Sequence, residues 1–419
     1  MSLQRRDFIK LSTAAAASAW MSTSCQKPEA PSPPAPPKPM TEGIVPITDE
    51  ERLGRIEKAR ALMAENKLDA VLFESGSSLF YFTGVTWGLS ERTFAWVLPA
   101  RGETAWVVPK FEEERARELI RFGTDVRTWE EDESPYRVIA GIFGDRGIRA
   151  GTVGVEERLR FFIFDGVRRE APAHRYVSAD PVTVGCRVIK SPAELALMQR
   201  ANDITVEAYK AALPKLRAGM TKGEFSEAAA AAFRALGVSG GIGANFGEGT
   251  ALPHGSVKPR TLREGDVVLM DGGCAVEGYR SDISRTVVFG KPTQRQLDVW
   301  NLEKEAQAAA FKAAGPGVPC EDVDAAARKV IVDAGYGPDY KVPGLPHRTG
   351  HGIGLDGHEW INLVRGNKTP MRPGMCFTNE PMIVIPGEFG VRLEDDMVIT
   401  EDGARFFSQP SPAIDRPFV

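Results

Sequence analysis

The tightest constraint on this chain lies in residues 265–290, GDVVLMDGGCAVEGYRSDISRTVVFG. Two strand-like runs, residues 266–272 and 279–289, flank a turn near Glu277-Gly278 and predict an antiparallel hairpin. A turn centred between Val276 and Glu277 places Asp271 directly opposite Asp282, with Cβ atoms about 5 Å apart. Like charges in that position destabilise a sheet, and a cation between them removes the objection. The pattern recurs downstream. Glu380 lies in FTNEPMIVIPG and Glu394 in EFGVRLEDDMVI, and a ladder centred on Gly387 opposes the two. Between the hairpins, HRTGHGIGLDGHE carries His347, His351 and His358, three of the chain's five histidines. Paired acids on two hairpins and a loop rich in His and Gly predict an oxygen-rich site for two metal ions.

Four carboxylates and an imidazole suit hard divalent ions, Mn²⁺ foremost, with Co²⁺ or Zn²⁺ open. Two such ions about 3.5–4 Å apart hold a bridging water, lower its pKa and polarise a carbonyl, which is machinery for hydrolysis. His351 stands among Gly350, Gly352 and Gly354, glycines that let backbone approach a metal. His254 follows a proline and precedes a glycine, on a loop. Of His254, His347, His351 and His358, one is expected to coordinate and the others to contact substrate or an oxyanion. Arg392, two residues before Glu394, shares its strand face and either orients a ligand carboxylate or is an exposed arginine. Gly357-His358-Glu359 lacks the second histidine of a zincin helix.

The 419 residues suffice for two domains. A net charge of −4, without a long basic run beyond the extreme N-terminus, gives no sign of nucleic-acid binding. Cys25, Cys186, Cys274, Cys320 and Cys376 lack CxxC spacing, so neither a zinc ribbon nor a disulfide framework is predicted. Cys274 and Cys376 read as small buried apolar residues.

SLQRRDFIK and the Ala-rich run after it resemble a twin-arginine export signal over residues 1–27, and a disordered basic tail is the plainer alternative. The expected location is therefore periplasmic or otherwise extracytoplasmic. Cys25 leaves a lipid anchor to a membrane open, although Ser22 stands where a lipoprotein box carries Leu. Residues 28–45 are Pro-rich and predict a stiff spacer.

Residues 46–184 alternate helical and strand patterns and predict an α/β domain of their own. Its first helix starts at Asp49, with Leu53, Ile56, Ala59, Leu62 and Met63 on the apolar face. Strands are predicted at residues 70–73, 94–98, 105–108 and 152–155, a loop over 75–85 and a charged helix over 111–122. His174, alone in this half, reads as a satisfied or surface histidine. A boundary near residues 178–190 opens a second domain over residues 185–419. Ser191, Pro192 and Glu194 start its first helix, and Thr221 with Glu224 starts the next. A glycine-rich connection, 237–249, leads to Pro253-His254-Gly255 and the first hairpin. Helices over 294–314 and 320–334 precede the second hairpin. The order helix–helix–hairpin, twice, predicts an α+β catalytic domain with pseudo-twofold halves, each giving a carboxylate pair to a central site.

Residues 185–410 resemble the pita-bread metallopeptidases: prolidase, aminopeptidase P, methionine aminopeptidase and creatinase. The carrying pieces are PHG at 253–255, MDGG at 270–273, SDISRT at 281–286, HRTGHGIGLDGHE at 347–359, NEP at 379–381 and VRLEDD at 391–396. The resemblance implies that Asp271, Asp282, His351, Glu380 and Glu394 bind two metals. It also implies that His254 and His358 contact substrate at the scissile carbonyl, and that Glu380 handles the water's proton. His347 and Arg392 match supporting positions of Xaa-Pro members, and the N-terminal domain is creatinase-like. A homodimer is implied in the same way. The leading expectation is hydrolysis of the bond before proline, in a dipeptide or a longer peptide with Pro second. The alternatives are another small amide or amidine C–N bond, or a metal-free creatinase-like enzyme or binding scaffold.

Overall fold

A computed structural model describes residues 38–419. The expected export signal, Cys25 and residues 28–37 of the expected Pro-rich spacer lie outside the described residues. The first part of the described chain holds α1 (Asp49–Glu65), β1 (Ala70–Glu74), α2 (Ser77–Thr83), β2 (Ala95–Pro99) and β3 (Ala105–Pro109). It continues with α3 (Glu113–Leu119), β4 (Asp125–Trp129), α4 (Pro135–Asp145), β5 (Thr152–Val155), α5 (Phe161–Glu170), β6 (Arg175–Ser178) and α6 (Asp180–Arg187). One mixed sheet runs β4-β3-β2-β1-β5-β6, antiparallel at β3-β2-β1 and parallel elsewhere. Its central strands are buried on both faces, which explains their continuous apolar runs.

Three local expectations are corrected here. Leu53 is 49 % exposed, and the buried stripe of α1 is Arg52, Arg55, Ile56, Ala59 and Met63. The arginines are inside because they have partners: Arg52 and Arg55 donate to the Phe80 and Tyr81 carbonyls, and Arg55 Nη2 lies 3.2 Å from the Tyr279 hydroxyl. The segment expected as loop over 75–85 contains α2, closed by Gly84 at φ +73°. The charged helix expected over 111–122 is confined to α3, preceded by a short 3₁₀ turn. His174 is satisfied, with Nε2 at 2.8 Å from the Ile148 carbonyl.

The second part opens with α7 (Pro192–Ala212) and α8 (Lys222–Ala235), both closed by reciprocal capping boxes at Ser191–Glu194 and Thr221–Glu224. Strands β7 (Gly240–Phe246), β8 (Val267–Val276), β9 (Tyr279–Arg280) and β10 (Ile283–Val288) follow. Then come α9 (Gln294–Ala313), α10 (Cys320–Asp333), β11 (Gly350–Gly352), β12 (Glu359–Leu363), β13 (Cys376–Asn379), β14 (Met382–Ile385), β15 (Phe389–Arg392), β16 (Asp395–Ile399) and β17 (Ala404–Phe406). The glycine-rich stretch expected as a connection is β7, paired to β8 along its length. Gly240 is required there, since a Cβ would sit 2.7 Å from the Phe233 ring.

The two hairpins differ in how they close. In the first, Glu277 (φ +49°) and Gly278 (φ +86°) form a two-residue turn that pairs Val276 with Tyr279. This sits one residue later than expected, so Asp271 faces Ser284 and Asp282 lies outside the ladder, between β9 and β10. In the second, Asn379–Asp395 and Met382–Arg392 share the register centred on Gly387, with Glu380 and Glu394 between them. The strand breaks at Glu380-Pro381, because proline has no N–H for the ladder. The chain passes there from a five-stranded sheet into the two-stranded β14-β15 ribbon.

Helices and strands of the second half pack around Trp300, Leu345, Phe377 and Met397, with Ala251, Val267 and Leu269 of the first half in the same core. The first half shares a core with the N-terminal sheet through Phe73, Trp96, Tyr209 and Met270. Across that boundary Glu359 accepts from Lys190 (2.9 Å) and Arg187 (2.5 Å), and Arg187 also reaches Asp356. No helix among the described residues is long and apolar enough to cross a membrane. Cys186, Cys274, Cys320 and Cys376 are buried free thiols.

Candidate metal centre

Of the contacts between the two halves, one β-bridge lies among the acids. Ser284 and Glu394 exchange backbone hydrogen bonds, N to O at 3.3 and 3.2 Å. Around it the acids converge although Asp271 and Asp282 are not opposed. Donor atoms of Asp271, Asp282 and Glu394 lie within 4.8 Å of one another, and so do those of His351, Glu380 and Glu394. Asp282, His351 and His358 form a third such group. All five residues expected as ligands therefore share one centre, with Glu394 common to two groups.

Each is held by its neighbours. His351 Nδ1 donates to the Gly352 carbonyl at 2.9 Å, which leaves Nε2 facing Glu380 Oε1 at 3.2 Å. The glycines beside it are needed by the strands. A Cβ on Gly350 would lie 2.1 Å from the Thr378 carbonyl oxygen, so the backbones of neighbouring strands need that space. Thr378 Oγ1 contacts Glu380 Oε1 at 3.3 Å and accepts from the His351 N–H. The Asp282 N–H donates to Asp396 at 3.0 Å, and Asn202 donates to the same oxygen.

Burial and mutual repulsion set the charge. Burial, then the neighbouring carboxylates, push Asp282 and Glu394 well above the usual carboxylate range. Burial pushes Glu380 up to about 7, against the pull of Arg392. Arg392 is the cation touching the cluster: Nη2 lies 2.7 Å from Asp271 Oδ2 and Nε 3.0 Å from Ser284 Oγ. One guanidinium against four carboxylates leaves an excess of negative charge in a buried place, and hard divalent ions fit that donor set.

The remaining histidines flank the cluster. His358 is exposed, its ring centroid 3.9 Å from that of His351, and its Nδ1 lies 3.0 Å from Arg348 Nη2. Burial, then Arg348 and His254, lowers its pKa. His254 is exposed on the loop after β7. His347 Nδ1 donates to the Arg348 carbonyl at 2.7 Å, while its buried Nε2 has no hydrogen-bond partner. Burial lowers His347 to about 4, and burial with His358 lowers His351 to about 3, so both rings are neutral at pH 7.

Sequence reasoning missed three supports. Ser284 Oγ lies 3.1 Å from Asp271 Oδ1 and 2.5 Å from Glu394 Oε2 and is fully buried. Asp324 on α10 accepts from Thr349 N–H and Oγ1, while the Thr349 carbonyl accepts from Glu380 N–H at 2.8 Å. Arg328 ties Asp324 (2.7 Å) to the Leu345 and His347 carbonyls. For Ser284 the available signal was a hydroxyl two residues after Asp282.

A mixed α/β domain followed by two hairpin-built halves around a carboxylate cluster is the architecture of a two-part metallohydrolase. The chain belongs to metallopeptidase family M24, whose model matches residues 196–401, with a creatinase/prolidase N-terminal domain over residues 55–189. The catalytic part has the pita-bread fold. An uncharacterized peptidase of Schizosaccharomyces pombe is 38 % identical over 388 residues, 87 % of this chain and 82 % of the relative. The Xaa-Pro dipeptidase of Pyrococcus furiosus is 30 % identical over 357 residues, 84 % of this chain and 96 % of its own. Among solved structures, the prolidase of Thermococcus sibiricus aligns with TM-score 0.80 and 30 % identity, over 87 % of this chain and 98 % of that one.

Proposed function

We propose that the protein hydrolyses the Xaa-Pro bond of peptides, with Asp271, Asp282, His351, Glu380 and Glu394 holding two divalent ions. The observation that carries this is the pair of donor groups sharing Glu394 at the seam of the halves. Ions held there supply Lewis acidity, acidifying water and polarising a carbonyl oxygen. Manganese is the best match to an oxygen-rich donor set.

The chain's own residues do the rest. Glu380 takes a proton at its carboxylate and returns it to the departing proline nitrogen. Neutral His358 and the exposed His254 flank the cluster and hydrogen-bond the substrate around its scissile carbonyl. Arg392 and Ser284 fix Asp271, and His347 keeps a buried Nε2 without a hydrogen-bond partner. The bond before proline is a tertiary amide without N–H, so recognition by these side chains replaces the backbone contact other peptidases need.

The test is proline release from Xaa-Pro dipeptides by protein loaded with Mn²⁺, beside metal content by elemental analysis. Asp282→Asn is expected to lose metal and at least 10³-fold in rate. Metal-loaded protein that cleaves the Xaa-Pro bond of neither dipeptides nor longer peptides would refute the reading.

Residues 1–27 support export by the twin-arginine route, which carries folded protein and so permits metal loading beforehand. A reporter fused to residues 1–45 should lose export when Arg5 and Arg6 become Lys. Membrane anchoring at Cys25 and a homodimer belong to the same reading; acyl labelling and sedimentation, respectively, test them.

A further inference from the structure

A cleft of about 970 Å³ opens beside the candidate centre. Its walls include Leu252 and Pro253 from the His254 loop, Pro346 next to His347, and Val384 of β14. These are the segments that carry the flanking histidines and follow Glu380. The cleft connects to the cluster through Pro253, whose carbonyl lies 3.5 Å from Arg392 Nη1, while Arg392 Nη2 holds Asp271. Pockets that enclose a drug-sized ligand run to roughly 300–1,000 Å³, so this one has room well beyond a dipeptide.

Its lining is also asymmetric in charge. Lys222, Lys258, Arg260 and Arg263 line it against a single acid, Glu248. Two of the cations are already engaged. Arg260 pairs with Asp266 at 2.8 Å, and Lys222 holds Asn245 Oδ1 (2.8 Å) and the Ser256 carbonyl (2.6 Å). Among the described residues, Lys258 and Arg263 have no salt-bridge partner. Leu252 and Val257 add apolar surface, 52 % and 101 % exposed.

We propose that this cleft receives the part of a substrate that follows proline, and favours tails ending in a free carboxylate or carrying acidic side chains. The inference rests on the Xaa-Pro reading and narrows it: the protein acts as an aminopeptidase on peptides of three residues or more as well as on dipeptides. Water adds across the Xaa-Pro bond, hydroxyl to the acyl carbon and proton to the proline nitrogen, and the tail stays attached to proline. Lys258 and Arg263 attract the tail through solvent, so the preference weakens as salt screens it.

The experiment compares kcat/KM of the metal-loaded full chain on Ala-Pro, on Ala-Pro-Ala-Glu and on the amidated neutral tetrapeptide Ala-Pro-Ala-Gln. The acidic tetrapeptide is expected to exceed the amidated one by at least fivefold at low salt. In Lys258→Glu/Arg263→Glu that ratio should fall to near one, mainly through KM. Cleavage of Ala-Pro without cleavage of either tetrapeptide overturns the inference and leaves the Xaa-Pro reading standing. A charge preference that survives the double reversal overturns it as well. If nothing is cleaved, the Xaa-Pro reading fails and takes this inference with it.

Discussion

Ser284 shows how much can hang on one hydroxyl. It touches an acid from each hairpin and accepts from Arg392, so it aligns Asp271 and Glu394 relative to each other. Ser284→Ala is expected to weaken metal affinity about 10–100-fold, the usual cost of losing a residue that orients ligands, with the fold retained by circular dichroism. The acids themselves predict a pH dependence. The folded-state pKa values of Asp282, Glu380 and Glu394 are raised, so in metal-free protein these three favour the fold below the unfolded carboxylate pKa, and that contribution is lost as pH rises through the folded value, about 7 for Glu380. Bound cations relieve the repulsion and compete with protons for the same oxygens. The gain in Tm on adding Mn²⁺ to chelator-treated protein should therefore be larger at pH 8 than at pH 5.5. An equal gain at both values would contradict the raised carboxylates.

At the scale of elements, hairpin closure decides which acids face each other. The carboxylate positions were legible in the sequence, and the second ladder has the register read from Pro386-Gly387-Glu388. The first was misjudged by one residue at its turn, because Glu277 takes a left-handed conformation that sequence alone does not favour for Glu. The acids still meet because Asp282 sits in a strand break, free of the alternation that the ladder would impose. Strand β7 was hidden for a related reason. Ile242, Ala244 and Phe246 alternate inward, but Gly240, which lets Phe233 and Cys274 approach, together with Gly241 and Gly243 masked a strand as a connection. On α1 the periodicity was real and its chemistry was not: Arg55 replaces Leu53 on the buried face because Tyr81 and Tyr279 supply its partners. The turn itself can be tested. A Cβ on Gly278 would lie 2.9 Å from Phe80 at a φ of +86°, so Gly278→Ala should cost about 1–2 kcal/mol, measured by urea unfolding.

Across the whole molecule, the N-terminal part and the catalytic part are joined by ions as well as by apolar packing. Glu359 lies between Lys190 and Arg187; burial works its pKa upward, but the two cations hold it down to about 2. Its contribution is therefore present above the ordinary carboxylate pKa and lost as pH falls through about 2. Glu359→Gln leaves a fully buried Lys190 without its counter-ion and should destabilise the protein by about 3 kcal/mol. A thermal midpoint unchanged by that substitution would show that the pair carries no net stability.

Ser284 and Glu394 are also where two bodies of protein, the halves of the catalytic part, touch through their backbones. Any ion seated among the acids would act as a rivet, drawing on donors that neither body owns alone. Catalytic competence then becomes a report on assembly: a chain whose latter portion has not yet closed has only part of the donor set and cannot attack peptides prematurely.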